Sequence, residues 1–274
     1  MPEGPEVRVV GESLSRDLLP ERSFISLAYE EKRINSVHKK NISGYTRLQP
    51  LLPLPITAIS VKGKKIVIWL HGDIFLVCSL GMTGRFCWER GGHTHVTMQL
   101  DNGKTLYYDD ARGFGGIAIA FSIKELHDLL SDVGPCLLSE RHLVTAELWN
   151  KELSNKRLQG KQIGDFLLDQ KRFAGIGNYL KSEILYRAAI SPYRSLGSLA
   201  DGEKECLRII TFETIDESYQ NGGLTIENYW DPYGRKGTYP CRVYGRKTDW
   251  HGNIVETVTL KDQRTTYWCP AVQK

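Results

Sequence analysis

Between residues 56 and 110 the chain passes through five short runs, ITAISV, KKIVIWL, DIFLVCSL, HVTMQL and TLYYDD, all rich in β-branched and aromatic residues. Turn residues such as His71-Gly72-Asp73 and Asp101-Asn102-Gly103 separate them. Strands this short and this closely spaced leave no room for helical crossovers, so they predict a sandwich or barrel rather than a parallel sheet. The β texture continues to about residue 122 and is flanked by helix on both sides. After Pro5, the residues Val7, Val10, Leu14 and Leu18 recur at helical spacing, and Pro20 closes that segment. This amphipathic helix pins the start of the chain onto a core.

The texture changes again at SDVGPCLLSE, residues 131 to 140. Helices are expected over about 163–170, 178–189 and 199–219, the last with Ser198 as its N-cap. The final forty residues return to β texture, with a hairpin expected around His251-Gly252-Asn253. The predicted organisation is a β domain over 1–130, a linker over 131–143, a helical domain over 144–236 and a terminal hairpin over 237–274. There is no internal repeat.

A chain of 274 residues has the length of about two domains. Its net charge of +4 says little, but the distribution says more. From Arg235 onward eight Lys and Arg face three acids, interleaved with Tyr and Trp, which suits a polyanion better than a membrane. The six cysteines show no short repeated spacing, which argues against a disulfide framework and fits a reducing compartment. With no basic-then-apolar leader and no apolar run of membrane length, an intracellular protein is expected: cytoplasm or nucleoid, or nucleus in a eukaryotic or viral source.

Three clusters carry chemistry. Gly175-Ile176-Gly177-Asn178 lies between two helices, with Asn178 opening the second and Lys171 and Arg172 just before. Glycines let the backbone approach a ligand, and a helix N-terminus offers N–H groups to an anion, so a phosphate is the natural partner. Interhelical turns also use glycine routinely. Lys62-Gly63-Lys64-Lys65 places three cations beside a glycine at a strand entry. The turns Gly81-Met82-Thr83-Gly84 and Asp110-Ala111-Arg112-Gly113-Phe114-Gly115 expose the kinds of side chain that wedge into a duplex when a nucleotide is extruded. The plain alternatives are a solvated charge run, a core methionine and a loop with an aromatic anchor.

Taken in order, MPEGPEV, KGKK, GMTG, DARGFG, VGP, LLDQKRFAGIGNYLKSEILY, YGRKG and QRTTYWCPAVQK resemble the formamidopyrimidine-DNA glycosylase / endonuclease VIII family from end to end. The resemblance implies an α+β fold: an N-terminal antiparallel β-sandwich with its helix, then a helix–two-turns–helix domain ending in a hairpin finger. It implies a bifunctional DNA glycosylase and abasic-site lyase of base excision repair. By it, Pro2 is the nucleophile once Met1 is removed, Glu3 is its acid/base partner, and Glu6 is a further acid in the pocket. Lys64, Asn178 and Arg264 hold phosphates, with Gly175 and Gly177 in the phosphate-binding turn, and Met82, Arg112 and Phe114 fill the void left by the extruded nucleotide. The implied partner is double-stranded DNA with oxidised bases or abasic sites, with single-stranded DNA a further candidate, bound by a monomer.

Chemistry supports the role implied for Pro2. An α-amine has an ordinary pKa of about 7.7–8.0, so much of it is a free nucleophile near neutrality. Attack at C1′ displaces the base and leaves an iminium, which acidifies the C2′ proton and leads to β,δ-elimination. Glu3, adjacent to the amine, is placed to move those protons.

Two departures from the family matter. The usual C-x2-C pairs read here Cys241-Arg242-Val243-Tyr244 and Cys269-Pro270-Ala271-Val272, with 24 residues between Tyr244 and Cys269. Tetrahedral zinc needs four ligands, and neither His142 nor His251 has ligand spacing to a cysteine, so a zincless finger without cofactor is expected. Only 17 residues separate Gly223 from Cys241, a short stretch that points to the endonuclease VIII-like branch, viral or eukaryotic in type. That branch implies oxidised pyrimidines and ring-opened purines as substrates. Two competing functions remain: a damaged-DNA binding protein of the same fold without catalysis, and an unrelated enzyme with an N-terminal proline base. The first does not need Pro2, Glu3 and Lys64, and the second needs neither finger nor GIGN turn.

Overall fold

The computed structural model describes residues 2–19, 22–29, 44–224 and 231–274. Helix α1 (Gly4–Leu18) begins with a proline in its first turn and buries Val7, Val10, Leu14 and Leu18, the residues that its periodicity singled out. Eight strands follow: β1 (Ser23–Tyr29), β2 (Leu54–Lys62), β3 (Lys65–Leu70), β4 (Ile74–Ser79), β5 (Gly84–Cys87), β6 (Thr94–Leu100), β7 (Thr105–Asp110) and β8 (Gly116–Ala120). They pair antiparallel in the order β5-β7-β6-β1-β2-β3-β4-β8. Strands β1 and β2 meet over only two residue pairs, Ser23 with Pro55 and Phe24 with Leu54, so the sheet folds there into two layers. The inner faces and α1 close over one core containing Phe24, Ile66, Ile68, Leu76, Phe86, Met98 and Leu106. In β6 buried residues alternate with half-buried or exposed ones, the pattern of a strand with one face toward the core, and helix α2 (Tyr45–Leu48) packs at the rim.

Helix α3 (Ile123–Leu130), capped by the Ser122 hydroxyl accepting from the Glu125 N–H, covers the outer face of β3, β4 and β8 with Leu126. Beyond it the chain is helical: α4 (Ala146–Leu153), α5 (Ile163–Leu167), α6 (Asn178–Arg187) and α7 (Asp201–Gln220). These surround a second core built on Trp149, Phe166, Phe173, Tyr179 and Leu207. The finger is a hairpin of β9 (Glu256–Thr259) and β10 (Thr265–Trp268). The fold is the expected α+β arrangement of antiparallel sandwich and helical domain.

Two local expectations need correction. Strand β1 was not anticipated, and β5 and β8 lie inside the expected β region without having been singled out as runs. Ser198 does not cap α7: residues Leu196–Ser198 form a separate turn in which the Ser198 hydroxyl donates to the Ser195 carbonyl, and Ala200 is the capping residue, its N–H held by Glu203. The β9–β10 hairpin turns at 260–264, and the expected hairpin around His251-Gly252-Asn253 is also present, with Thr248 paired antiparallel to Ile254 and the Val255 N–H donating to the Lys247 carbonyl at 3.0 Å. Its tight turn is organised by the buried Asp249 carboxylate, which accepts the N–H groups of His251 and Asn253. Residues 225–230, within the short stretch after Gly223, lie outside the described residues.

Candidate active site

The site forms where the first turn of α1 meets the N-terminus of α6. Pro2 is buried, and the Gly4 N–H donates to the Gly175 carbonyl at 2.8 Å, which fixes the start of the chain against the GIGN turn. The Glu3 carboxylate then enters the end of α6. It accepts the N–H groups of Gly177 at 2.6 Å, Tyr179 at 2.9 Å and Leu180 at 3.3 Å. An anion does occupy this helix N-terminus, as the sequence suggested, but it is Glu3 of the same chain. The Gly175 N–H is likewise engaged, donating to the Gln170 side chain at 3.1 Å. Gly177 is required by this approach, because a Cβ there would lie 2.3 Å from the Glu3 carboxyl carbon. The Gly175 and Gly177 N–H groups are thus both engaged within the chain.

Glu6, three residues on, points back over the same turn. Its carboxylate accepts the Glu3 N–H at 2.7 Å, the Tyr179 hydroxyl at 2.7 Å and the Leu224 N–H at 2.6 Å, and Tyr179 also meets Ser218 at 2.8 Å. Tyr179 and Ser218 were not anticipated; nothing in their spacing distinguishes them from ordinary core positions of two helices. Lys64 completes the cluster from the β2–β3 turn, within electrostatic reach of Glu3, Glu6 and Arg264.

Burial dominates the electrostatics. Glu3 is 2% exposed, and desolvation pushes its carboxyl up to about 7. Lys64 opposes the rise, Glu6 adds to it, and the backbone N–H groups of Tyr179 and Gly177 pull the other way without reversing it. Desolvation also raises Glu6 and lowers Lys64, the latter assisted by Arg264. The result is an acid able to give and take a proton near neutrality beside a backbone nitrogen and a cation of reduced pKa.

Met82, Arg112 and Phe114 stand exposed on two adjoining loops, with the Arg112 guanidinium 5.0 Å from the centre of the Phe114 ring. Asp110, buried and not anticipated, organises them. Its carboxylate accepts the Thr83 hydroxyl, the Gly115 N–H at 2.7 Å and the Arg112 N–H at 3.3 Å, while the Arg112 N–H also reaches the Thr83 oxygen at 3.0 Å. One carboxylate therefore holds the methionine loop and the arginine loop in register. The available clue was the leading residue of DARGFG, an acid able to turn back on its own loop.

Helix α6 also carries the finger. Its interior positions Lys181, Ser182 and Glu183 are fully buried and each has a partner beyond the helix. Glu183 accepts the N–H groups of Arg242, Val243 and Tyr244 at 2.8, 2.9 and 2.8 Å, so its carboxylate sits in a cradle made by the first knuckle. Ser182 accepts from the Tyr267 N–H at 3.3 Å, and the Asn178 side-chain amide donates to the Thr265 carbonyl at 2.8 Å. Between the knuckles lie Val243, Val255, Tyr186 and Cys269, with Tyr267 and Val272 against them. Cys269 points its thiol at Asp249, and burial followed by Glu183 raises the pKa of the Cys241 thiol. Among the described residues no three His, Cys, Asp or Glu side chains gather as a metal-binding group.

Residues 1–117 match the formamidopyrimidine-DNA glycosylase N-terminal domain, and residues 138–229 match the formamidopyrimidine-DNA glycosylase H2TH domain. A formamidopyrimidine-DNA glycosylase of Exiguobacterium is 32% identical over 292 residues, covering 100% of each chain. The crystal structure of the MutM (Fpg) protein of Thermus thermophilus superposes with a TM-score of 0.86 at 29% identity, covering 99% of this chain and 98% of that one. The Lactococcus lactis Fpg in complex with DNA containing an abasic site gives a TM-score of 0.84 at 26% identity, with 99% of both chains covered.

Proposed function

The chain belongs to the formamidopyrimidine-DNA glycosylase family and is a DNA glycosylase, and from that premise we propose that it excises oxidised bases from duplex DNA and then cleaves the abasic strand through its own N-terminal amine. The observation that carries the reading is the placement of Glu3. A buried carboxyl with a pKa near 7 lies one residue from Pro2 and within reach of Lys64.

With Met1 removed, the secondary amine of Pro2 attacks C1′ of the damaged nucleoside. The C1′–N bond breaks, the base leaves with a proton, and the sugar ring opens as Glu3 protonates its oxygen. The resulting iminium acidifies the C2′ proton. Glu3, now a carboxylate, takes it, and the 3′ phosphate departs by β-elimination, followed by the 5′ phosphate by δ-elimination after loss of the C4′ proton. Glu6, Tyr179 and Ser218 keep Glu3 in position. Lys64, Asn178 and Arg264 bind phosphates around the extruded nucleotide, and Met82, Arg112 and Phe114 fill its place in the stack. The substrates are oxidised pyrimidines and ring-opened purines, in keeping with the short stretch between Gly223 and Cys241.

The finger works without zinc. The residues present do not fit the metal: two thiols remain, Tyr244 and Val272 stand at the other two knuckle positions, and an apolar cluster lies between the knuckles. Glu183 takes over the fastening role by binding the first knuckle directly.

Product analysis tests this function. Duplexes with one oxidised pyrimidine or one formamidopyrimidine should yield free base and a one-nucleotide gap with phosphate at both ends. Base release with an uncut strand would refute the lyase step. Tight binding without base release would show a damage-binding protein instead.

A further inference from the structure

We infer that the buried ion pair between Lys181 of α6 and Asp262 of the finger turn positions Arg264 against the DNA backbone, which makes Lys181 and Asp262 positioning residues for that phosphate contact. The inference rests on the reading of Arg264 as a phosphate ligand.

Lys181 is wholly buried, and its ammonium lies 2.6 Å from Asp262 Oδ2, whose side chain is 10% exposed. Its aliphatic stem passes Gly164 of α5, where a Cβ would sit 3.5 Å from Lys181 Cδ and 3.7 Å from Leu260 of the turn. The lysine is therefore held by two helices of the second domain before it reaches the finger. The other oxygen of Asp262 accepts the Arg264 N–H at 2.9 Å. Gln263, between them, adopts a left-handed backbone with φ 56°, and its N–H returns to the Leu260 carbonyl at 3.0 Å. Asp262 is thus a two-sided bracket. One oxygen grips the helical domain, and the other fixes the backbone from which the Arg264 side chain departs.

Energetics favour a positional role over a stabilising one. Burying a lysine is costly, and a buried pair is often no more stable than apolar residues of the same size; its best-attested use is to set register. The burial cost is visible here, since desolvation lowers the Lys181 pKa despite Asp262. Apolar residues at both 181 and 262 would satisfy the core equally well but would not dictate where residue 264 sits. The Asn178 amide, bound to the Thr265 carbonyl, fixes the other side of Arg264 from the same helix.

The test is duplex binding by the full chain as a function of salt, using DNA with a tetrahydrofuran abasic analogue and undamaged DNA. One lost phosphate contact lowers the slope of log Kd against log salt by about 0.9, so the weakening between 50 and 200 mM salt becomes about 3.5-fold smaller. Arg264→Ala should show this loss on both duplexes. Lys181→Met should show the same loss, and the double variant should lose no more than Arg264→Ala alone. Should Lys181→Met not fold, Lys181→Met/Asp262→Ala, which leaves no unpaired buried charge, is read in the same way. A normal slope in the Lys181 variants beside a reduced one in Arg264→Ala overturns the inference, even if their melting temperatures fall. A normal slope in Arg264→Ala refutes the phosphate role of Arg264 itself and removes the inference with it.

Discussion

Glu3 shows how one residue is tuned by opposing forces. Three backbone N–H groups and a lysine stabilise its charged form, yet complete burial outweighs them and leaves the folded carboxyl near 7 against an ordinary 4.5. The folded state therefore holds more protons than the unfolded state between those values, and stability is lost as pH rises through that window. At 1.36 kcal/mol per pH unit the loss approaches about 3 kcal/mol. Denaturant unfolding at pH 5 and pH 8 should show Glu3→Gln gaining about that much relative to wild type at the higher pH. An unchanged difference would mean that Glu3 titrates normally. In catalysis, a protonated Glu3 and a free amine of pKa about 7.7–8.0 should confine base excision to a narrow bell near pH 7–8.

At the scale of elements, the strands rich in β-branched and aromatic residues could be read from sequence, and the short or irregular ones could not. Strand β1 carries Phe24 and Leu27 into the core across a register shift between Phe24 and Ser26, which breaks the two-residue period. Strand β5 has four residues, one of them Arg85, and β8 is only five residues long. Helix α6 was visible as a helix, but the partners of Lys181, Ser182 and Glu183 lie 59 to 85 residues away in the finger, beyond any local pattern. Glu183→Gln should weaken all three knuckle bonds and lower stability by about 3 kcal/mol, the scale of a lost charged hydrogen-bond group. Chelators should leave the wild type unaffected, and about one equivalent of protein-bound zinc by metal analysis would contradict the zincless finger. In the extrusion loops, Asp110→Asn should slow excision of paired lesions about 10-fold, equivalent to about 1.4 kcal/mol, and spare single strands. Equal slowing on both substrates would assign Asp110 to the core alone.

The molecule as a whole assembles the Glu3–Glu6 cluster across the join of its two domains. Glu3 meets Gly177 and Tyr179 across 174 and 176 residues of chain, and Glu6 meets Leu224 across 218. Motif order pointed to the residues proposed for the site, because each motif is local. The use of the GIGN helix end by Glu3 was not legible, because a helix N-terminus attracts any anion and the sequence does not say which anion arrives. One element thus serves two ends: α6 receives the Glu3 carboxylate at its first turn and carries the finger along its length.

The most direct test of this account is borohydride trapping on a duplex with a single abasic site, comparing Met1-free wild type with a form that retains Met1. The account predicts a covalent protein–DNA crosslink in the first and none in the second, since only a free N-terminal amine forms the reducible iminium. No crosslink from verified Met1-free protein, or equal crosslinking by both forms, would contradict it.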